Sequence, residues 1–417
     1  MDNPLVIQED DFHILPSHDS VTGERLTQRL LAWQEGRQPA FLRLLGTAQE
    51  SLELTRQWEQ TIRQRASRVV LLGIGGSSLG GEMLASAHGN PEGLPVRFCD
   101  NVDPRSLASL STVDWRETFL LVISKSGGTA ETLSQFLSLL PTLERLPDLK
   151  QRVCVVTGVP QSPLGRMAKA LELPILPFPE VGGRFSVLSV VGLLPAALAG
   201  VPVERIMAGA LAAQPGLLDT DPERNRALRM ALSQFHLSLA GRSQSVWVAY
   251  GDHLHRLTAW YAQLCAESLG KIDQQGQHRG LTPLSARGVT DQHSVLQLFL
   301  DGPRDKQFTL LFDPELATEG AVAANRFPEI QELALLANRP LGQLFTAEFH
   351  GTRDTLIHQG LPVRTVLLPA SRPEALGALI LQAEVEIALL AEMFHIDAYD
   401  QPAVEESKIR AMAYLAK

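Results

Sequence analysis

The chain reads FLLVI over residues 119–123 and SKSGGTAET over residues 124–132. The first five residues are a continuous apolar run, which is typical of a parallel β-strand covered on both faces. Gly127 and Gly128 let the backbone turn tightly, and a helical pattern begins near Glu131. This succession of strand, glycine turn and helix predicts an α/β fold, with the turn at the carboxyl edge of a parallel sheet.

The turn also carries the chemistry of an anion site. Free N–H groups at the start of a helix point toward whatever binds there, and they favour negative charge. Ser124, Ser126 and Thr129 add hydroxyl donors, and Lys125 adds a positive charge or its backbone N–H. The combination predicts a site for a phosphate monoester carried by a small molecule.

Apolar runs of strand length recur along the chain, separated by helical patterns. They are Val69–Ile74, Val96–Cys99, Val153–Thr157, Val246–Tyr250, Phe308–Phe312 and Val363–Leu368. The alternation predicts two doubly wound parallel-sheet subdomains, each an α-β-α sandwich. We divide the chain into a helical N-terminal extension (residues 1–66), a first subdomain (67–205) and a second subdomain with C-terminal helices (206–417).

Composition indicates an ordinary globular protein. Of the 417 residues, 45% are hydrophobic and 20% are charged, which supports a sizeable core. The net charge of −9 argues against a nucleic-acid partner. The apolar stretch Val187–Val203 is interrupted by glycine and proline, so we expect a buried helix there and no membrane partner. The N-terminus has no hydrophobic signal region, and we expect a cytoplasmic protein.

Neither the cysteines nor the histidines predict a metal site. Cys99, Cys154 and Cys265 are scattered, which is typical of buried reduced thiols. His253 and His255 are close in sequence, but no third and fourth ligand follow at a spacing that would complete a metal site.

A second glycine loop, GIGGSSLG at residues 73–80, follows the first predicted strand. A dinucleotide fingerprint requires glycine at the first, third and sixth positions, and the sixth is Ser78. Asp100 ends the next strand and keeps a nicotinamide cofactor as a remote alternative. We expect instead that the backbone at Gly76 and the hydroxyl of Ser77 face a sugar phosphate, without a cofactor.

These two loops together resemble the glucose-6-phosphate isomerase family, which has a double sugar-isomerase-domain fold. Four further phrases follow in that family's order: GGRFS (182–186), QLCAESLGK (263–271), DQHS (291–294) and YDQPAVEESK (399–408). The resemblance covers residues from about 70 to 408 and is closest to the shorter bacterial forms. It implies interconversion of glucose 6-phosphate and fructose 6-phosphate through a cis-enediol(ate), with neither cofactor nor metal.

The resemblance also assigns roles to individual residues. Glu267 takes the position of the base, and Arg184 stands beside the negative charge that develops on the enediolate. His293 and Lys408 take the ring-opening positions, with His293 contributed to the neighbouring subunit, which implies an obligate homodimer. Gln263 lies one helical turn before Glu267 and is expected to orient the substrate or the carboxylate.

The remaining assignments concern the phosphate end of the substrate. The family's phosphate contacts match Ser77, Ser124, Lys125, Ser126 and Thr129. Gln401 is expected to hold this end or to close over it. Three residues depart from the usual pattern: Gly128 replaces a frequent Thr or Ser, Ala403 replaces a glycine, and Pro179 replaces a polar residue. These departures affect loop geometry, and with it KM, more than the reaction type.

Two other functions stay open at this point. A broader isomerase would also accept mannose 6-phosphate, and the sequence does not distinguish it. A non-catalytic sugar-phosphate-binding regulator would use the same fold. In that case Glu267, His293 and Lys408 would have no role, and the sequence contains no helix-turn-helix with a basic recognition face.

Overall fold

The computed structural model describes residues 5–8, 12 and 20–417. The strands are β1 Val6–Gln8, β2 Arg68–Leu72, β3 Val96–Cys99, β4 Thr118–Ile123, β5 Val153–Thr157, β6 Ile175–Pro177, β7 Gln244–Tyr250, β8 Lys271–Ile272, β9 His278–Arg279, β10 Thr282–Gly288, β11 Lys306–Phe312 and β12 Val363–Leu367. The α-helices are α1 Ser20–Gln34, α2 Ala40–Gly46, α3 Ala48–Arg63, α4 Leu79–His88, α5 Pro104–Ala108, α6 Ala130–Leu143, α7 Leu149–Arg152, α8 Pro163–Ala170, α9 Val190–Leu198, α10 Val203–Leu217, α11 Arg226–Leu239, α12 His255–Leu269, α13 Leu296–Asp301, α14 Leu341–His358, α15 Pro373–Phe394 and α16 Glu405–Leu415.

The first sheet has the strand order β3-β2-β4-β5-β6, and all its neighbouring strands are parallel. Alternate residues of β4 enter different apolar cores, with Phe119 and Leu121 in one and Leu120 and Val122 in the other. All six residues of β4 are buried, which confirms a strand covered on both faces. Because β3 and β4 lie on opposite sides of β2, the loops after β2 and β4 meet where such a sheet binds ligands.

The second sheet has the order β1-β12-β11-β7-β10 and is parallel except for β1, which pairs antiparallel with β12. The sequence predicts a helical extension over residues 1–66, and Val6–Gln8 differ from it by forming this edge strand. Three extended residues are too few to show a strand periodicity. The two sheets confirm the predicted α/β class; the subdomain boundaries at residues 66 and 205 stay a prediction.

Helix α15 is the centre of the helical layer, and all its residues except Glu374 and Glu392 are buried. It packs against α10, α11 and α12. A Cβ on Gly377 would lie 1.8 Å from the carbonyl oxygen of Ile206 on α10, and one on Gly209 would lie 1.9 Å from that of Glu374. The two helix backbones therefore approach more closely than any larger residue at these positions would allow.

Helix α9 occupies the apolar stretch for which a core helix was predicted, and all nine of its residues are buried. Among the described residues, no helix has both the length and the apolar character needed to cross a membrane. Cys99, Cys154 and Cys265 are buried and unpaired, as predicted.

Helices α4 and α12 connect the two halves of the chain. Helix α4 begins directly after the glycine loop that follows β2, and α12 packs against it. Helix α12 also contacts the short 3₁₀ turn Gly183–Phe185. This packing brings the second half of α12, with the QLCAESLGK phrase, to the carboxyl edge of the first sheet.

Candidate active site

A cavity of about 730 Å³ opens at this edge, where loops of the first sheet face α12 and the C-terminal segment. Its lining includes most of the residues predicted for the site: Gly76, Ser77, Lys125, Ser126, Thr129, Arg184, Gln263, Glu267, Gln401 and Lys408. These residues come from separate parts of the sequence. The fold therefore brings the predicted cationic loop and the predicted acidic side chain to one cavity.

The loop Ser124–Thr129 leads into α6, with Thr129 at the helix N-cap. Ser124 is buried beneath the loop and does not line the cavity; its hydroxyl lies 2.9 Å from the Oγ1 of Thr129 and accepts the N–H of Gly127 at 3.1 Å. Gly127 has a φ of 61°, the left-handed conformation that glycine adopts without strain. Ser124 thus shapes the loop from within, and Lys125 and Ser126 are exposed to the cavity.

The loop after β2 contacts the Arg184 turn backbone to backbone. A Cβ on Gly76 would lie 2.2 Å from the carbonyl carbon of Gly183, so only glycine fits at this contact. The hydroxyl of Ser186 adds a 3.3 Å hydrogen bond to the carbonyl oxygen of Gly76. The turn that carries Arg184 is therefore fixed to the loop that carries Ser77.

Arg184 is a buried cation with a full set of acceptors, and its side chain is only 2% exposed. Its Nε donates to the Oγ of Ser268 at 2.8 Å, and its Nη2 donates to the carbonyl oxygens of Ala398 and Asp400. Burial lowers the pKa of the guanidinium from its usual value, and the carboxylate of Glu267 opposes this shift. An arginine has such a high intrinsic pKa that it remains charged here.

The third donor of Arg184 faces the cavity. Its Nη1 lies 3.1 Å from the Oε2 of Glu267 and 3.2 Å from the Oε1 of Gln401. The other oxygen of Glu267 accepts from the Nε2 of Gln263 at 3.0 Å. Each carboxylate oxygen of Glu267 therefore has one donor, while the side chain keeps 31% of its surface exposed toward the cavity.

Lys408 reaches the cavity from α16, whose residues are all exposed. Its Nζ donates to the Oε1 of Glu405 at 2.7 Å, one turn earlier on the same helix, and both side chains line the cavity. An exposed pair of this kind is weak, so the ammonium is available to a ligand.

His293 is placed away from this cavity. It ends the 3₁₀ turn Thr290–His293 that follows β10, and its side chain is exposed. It is not among the described residues that line the cavity. The site of a single chain therefore contains Glu267, Arg184 and Lys408 but not His293.

A second cavity of about 1170 Å³ adjoins the first and shares Glu267 and Gln401 with it. The basic groups that line it are largely paired with carboxylates: Arg29 with Glu392 at 2.8 Å, and Lys271 with Asp400 at 2.6 Å. The cavity thus opens beside the carboxylate of Glu267, and its cations are mostly neutralised by these carboxylates.

Sequence reasoning gave no role to several residues that the structure places in the site. Tyr399 and Glu405 line the cavity, and Ser268 and the carbonyl oxygen of Asp400 hold Arg184. All four lie within the stretches 263–271 and 399–408, and their place in these stretches is the sequence signal that could have pointed to them. Backbone acceptors leave no trace in residue type, which is why Asp400 could not be identified from sequence.

Comparisons with known proteins identify the family of this chain. The sequence model of the family described as phosphoglucose isomerase matches residues 50–416. A protein of Rubrobacter xylanophilus named glucose-6-phosphate isomerase is 36% identical over 384 residues, covering 89% of this chain and 87% of its own. One of Thermus thermophilus with the same name is 37% identical over 354 residues, covering 83% of each chain.

Solved structures are similar as well. A hypothetical protein from Thermus thermophilus is 32% identical with a TM-score of 0.85, covering 99% of this chain and 100% of its own. A glucose-6-phosphate isomerase from Chlamydia trachomatis is 21% identical with a TM-score of 0.75, covering 88% of this chain and 73% of its own. At that identity the second similarity concerns the fold alone.

Proposed function

Since this chain belongs to the phosphoglucose isomerase family, we propose that it interconverts glucose 6-phosphate and fructose 6-phosphate through a cis-enediolate, with Glu267 as the base. The protein is an aldose–ketose isomerase of glycolysis and gluconeogenesis. The main support for the proposed mechanism is that Glu267 lines the same cavity as the loop Ser124–Thr129, whose residue types suit a phosphate. We also assign the enzyme to the cytoplasm, where glycolysis takes place.

Glu267 moves the proton between the two sugar carbons. It removes the proton at C2 of the open-chain aldose, which lies next to the carbonyl, and returns it to C1. The hydrogen bond from Gln263 orients the carboxylate, and the cavity leaves one face of it open to substrate. Removal of the proton places one negative charge on the C1 oxygen; the proton of the C2 hydroxyl then passes to that oxygen, so that return of the first proton to C1 leaves the C2 carbonyl of the ketose.

Arg184 stabilises this charge. Its guanidinium is already held by four groups besides Glu267, so it needs no reorganisation when the enediolate forms. The phosphate binds at Ser77, Lys125, Ser126 and Thr129, which line the same cavity, and at the N-terminus of α6. Gly76 contributes its backbone there, Ser124 holds the loop, and Gln401 closes the site beside Arg184.

Ring opening requires an acid and a base near the ring oxygen and the C1 hydroxyl. We assign these roles to Lys408 and to the partner subunit's His293, in a homodimer. The exposure of His293 and its position outside its own chain's cavity support this assignment. The second cavity supports it too, because it gives a partner residue access to Glu267.

The test is an assay of the purified protein with fructose 6-phosphate, measuring glucose 6-phosphate formed. In D₂O, product and recovered substrate should acquire deuterium at the carbon next to the carbonyl. Glu267→Gln should bind substrate, lose turnover by a factor of at least about 10³ and lose deuterium incorporation. Glu172→Gln, in an exposed pair with Lys150, is the matched control. Persistent deuterium incorporation in Glu267→Gln would exclude Glu267 as the base. A parallel assay with mannose 6-phosphate as the substrate tests whether the enzyme is a broader isomerase.

A further inference from the structure

Lys271 lies at the end of the helix that carries Glu267, one residue after the C-cap Gly270. Its ammonium group donates three hydrogen bonds, to the carbonyl oxygen of Asp397 at 2.8 Å and to the carbonyl oxygen and Oδ1 of Asp400 at 2.7 and 2.6 Å. These use all three protons of the group, and the side chain is only 9% exposed. A lysine so fully satisfied is not a solvated surface charge.

The acceptors of Lys271 belong to the turn that also holds Arg184. The carbonyl oxygen of Asp400 accepts from Lys271 and from the Nη2 of Arg184, and the carbonyl oxygen of Ala398, inside the same turn, accepts from Arg184. The next residue is Gln401, whose Oε1 accepts from the Nη1 of Arg184. Two cations from distant parts of the sequence thus share one short turn of backbone acceptors.

Apart from the two cations, the turn is held by the buried side chain of Ala398, by the ring of Tyr399 at 5.6 Å from that of Phe185, and by a hydrogen bond from the N–H of Tyr399 to the Oδ1 of Asp397. Lys271 binds it at both ends, at Asp397 and at Asp400, and the helix α16 that follows it has no buried residue. Without the ammonium, the carbonyl of Asp400 would keep only Arg184 as a donor among the described contacts. The Asp400 end of the turn would then be held less firmly, which would loosen Gln401 and the acceptor that Asp400 offers to Arg184.

We infer that Lys271 is a positioning residue for the isomerisation: it fixes the turn 397–400 and thereby holds Arg184 and Gln401 against Glu267. This inference rests on the proposed roles of Glu267 and Arg184. Lys271 itself touches no reacting atom; it acts through the acceptors that orient Arg184 toward the enediolate. Its loss should therefore weaken binding of the transition state more than binding of the substrate.

The experiment compares Lys271→Met, Lys271→Arg and the control Lys150→Met, which removes an exposed lysine paired with Glu172. The measurements are kcat, KM and the inhibition constant of a five-carbon aldonic acid phosphate, whose carboxylate imitates the enediolate. For Lys271→Met we expect kcat to fall about tenfold, KM to change less than about threefold, and the inhibition constant to rise about as much as kcat falls. Lys271→Arg should recover most of the loss, and Lys150→Met should match the wild type.

A double substitution tests the route of action. If Lys271 acts through Arg184, then Lys271→Met should cost less than about threefold in kcat when Arg184 is already lysine. A tenfold cost in both backgrounds would overturn the inference. An unchanged inhibition constant in Lys271→Met would also overturn it, and this measurement stands if the double variant does not fold. Absence of turnover in the wild type would instead count against the proposed function.

Discussion

Arg184 donates from Nη1 to the Oε2 of Glu267 over 3.1 Å, although the two residues lie 83 positions apart in the sequence. The pair joins the turn that follows the first sheet to the helix α12 in the second half of the chain. In the free enzyme the guanidinium holds the carboxylate, and in the mechanism we propose it lies beside the charge that forms on the substrate during proton transfer. Both functions depend on a planar cation with several fixed donors.

We predict that Arg184→Lys lowers kcat by a factor of about 10² to 10³ and changes KM less than about threefold. A lysine ammonium has three protons and cannot reach Ser268, the 398–400 carbonyls and Glu267 together. Steady-state kinetics in both directions measure the split. Arg205→Lys is the matched control, since Arg205 forms an exposed pair with Glu374. A raised KM with an unchanged kcat would mean that Arg184 contributes only to substrate binding.

The proposed donation of His293 between subunits predicts complementation. His293→Ala and Glu267→Gln should each be nearly inactive as homodimers. A heterodimer of the two variants has one site with an intact Glu267 and the partner's intact His293, so it should recover about half of the wild-type activity per dimer. Co-expression with two different affinity tags isolates the heterodimer for assay.

The complementation experiment has a clear contrary outcome. If His293 served the site of its own chain, both sites of the heterodimer would lack one group, and no activity would return. A heterodimer of His293→Ala with wild type serves as the control, and it should also show about half activity.

Residue types and their spacing predicted some of the elements that form the cavity. The loops at Gly73–Gly80 and Ser124–Thr132, the helix of Glu267 and the α/β sheets all follow from periodicity, glycine placement and order along the chain. The acceptors of Arg184 could not be predicted. Two of them are the backbone carbonyl oxygens of Ala398 and Asp400, and every residue of any chain has such an oxygen. Lys271 lies in the stretch 263–271, but the sequence indicates no role for it, because only the fold brings it to its acceptors at Asp397 and Asp400.

Ser124 illustrates a second kind of difference. Residue type predicts a hydroxyl that faces phosphate, and the structure shows that hydroxyl beneath the loop, paired with Thr129. A pattern of small polar residues does not distinguish those that line a cavity from those that support its wall. Edge strand β1 was missed for a different reason, because its pairing with β12 is set by tertiary contact rather than by local sequence.

Gly76 gives a prediction about backbone contact. Gly76→Ala would place a Cβ 2.2 Å from the carbonyl carbon of Gly183, so the two backbones must separate and the Arg184 turn must move. We expect kcat to fall by a factor of about 10², because small displacements of catalytic groups are costly. Gly351→Ala is the control, since a Cβ there meets no atom within 4 Å in helix α14. Wild-type kcat in Gly76→Ala would show that the contact does not position Arg184.

His88, in the last turn of α4, gives a prediction about pH and stability. Burial is the main cause that lowers the pKa of His88 from 6.5 to about 4; the nearby His253 and Arg205 act in the same direction, and Asp313 and Glu374 oppose them. The folded protein therefore holds His88 neutral where the unfolded chain would protonate it. This contribution to the free energy of unfolding is complete above pH 6.5 and is lost as the pH falls from 6.5 toward 4.

Urea unfolding at pH 7.5 and pH 5 measures the effect. The free energy of unfolding should fall less between these pH values in His88→Gln than in the wild type, because glutamine binds no proton in either state. His358→Gln, at an exposed position in the last turn of α14, should keep the wild-type difference. An equal fall in His88→Gln and wild type would show that another group controls the acid sensitivity. A smaller fall would assign that part of the acid sensitivity to the buried His88.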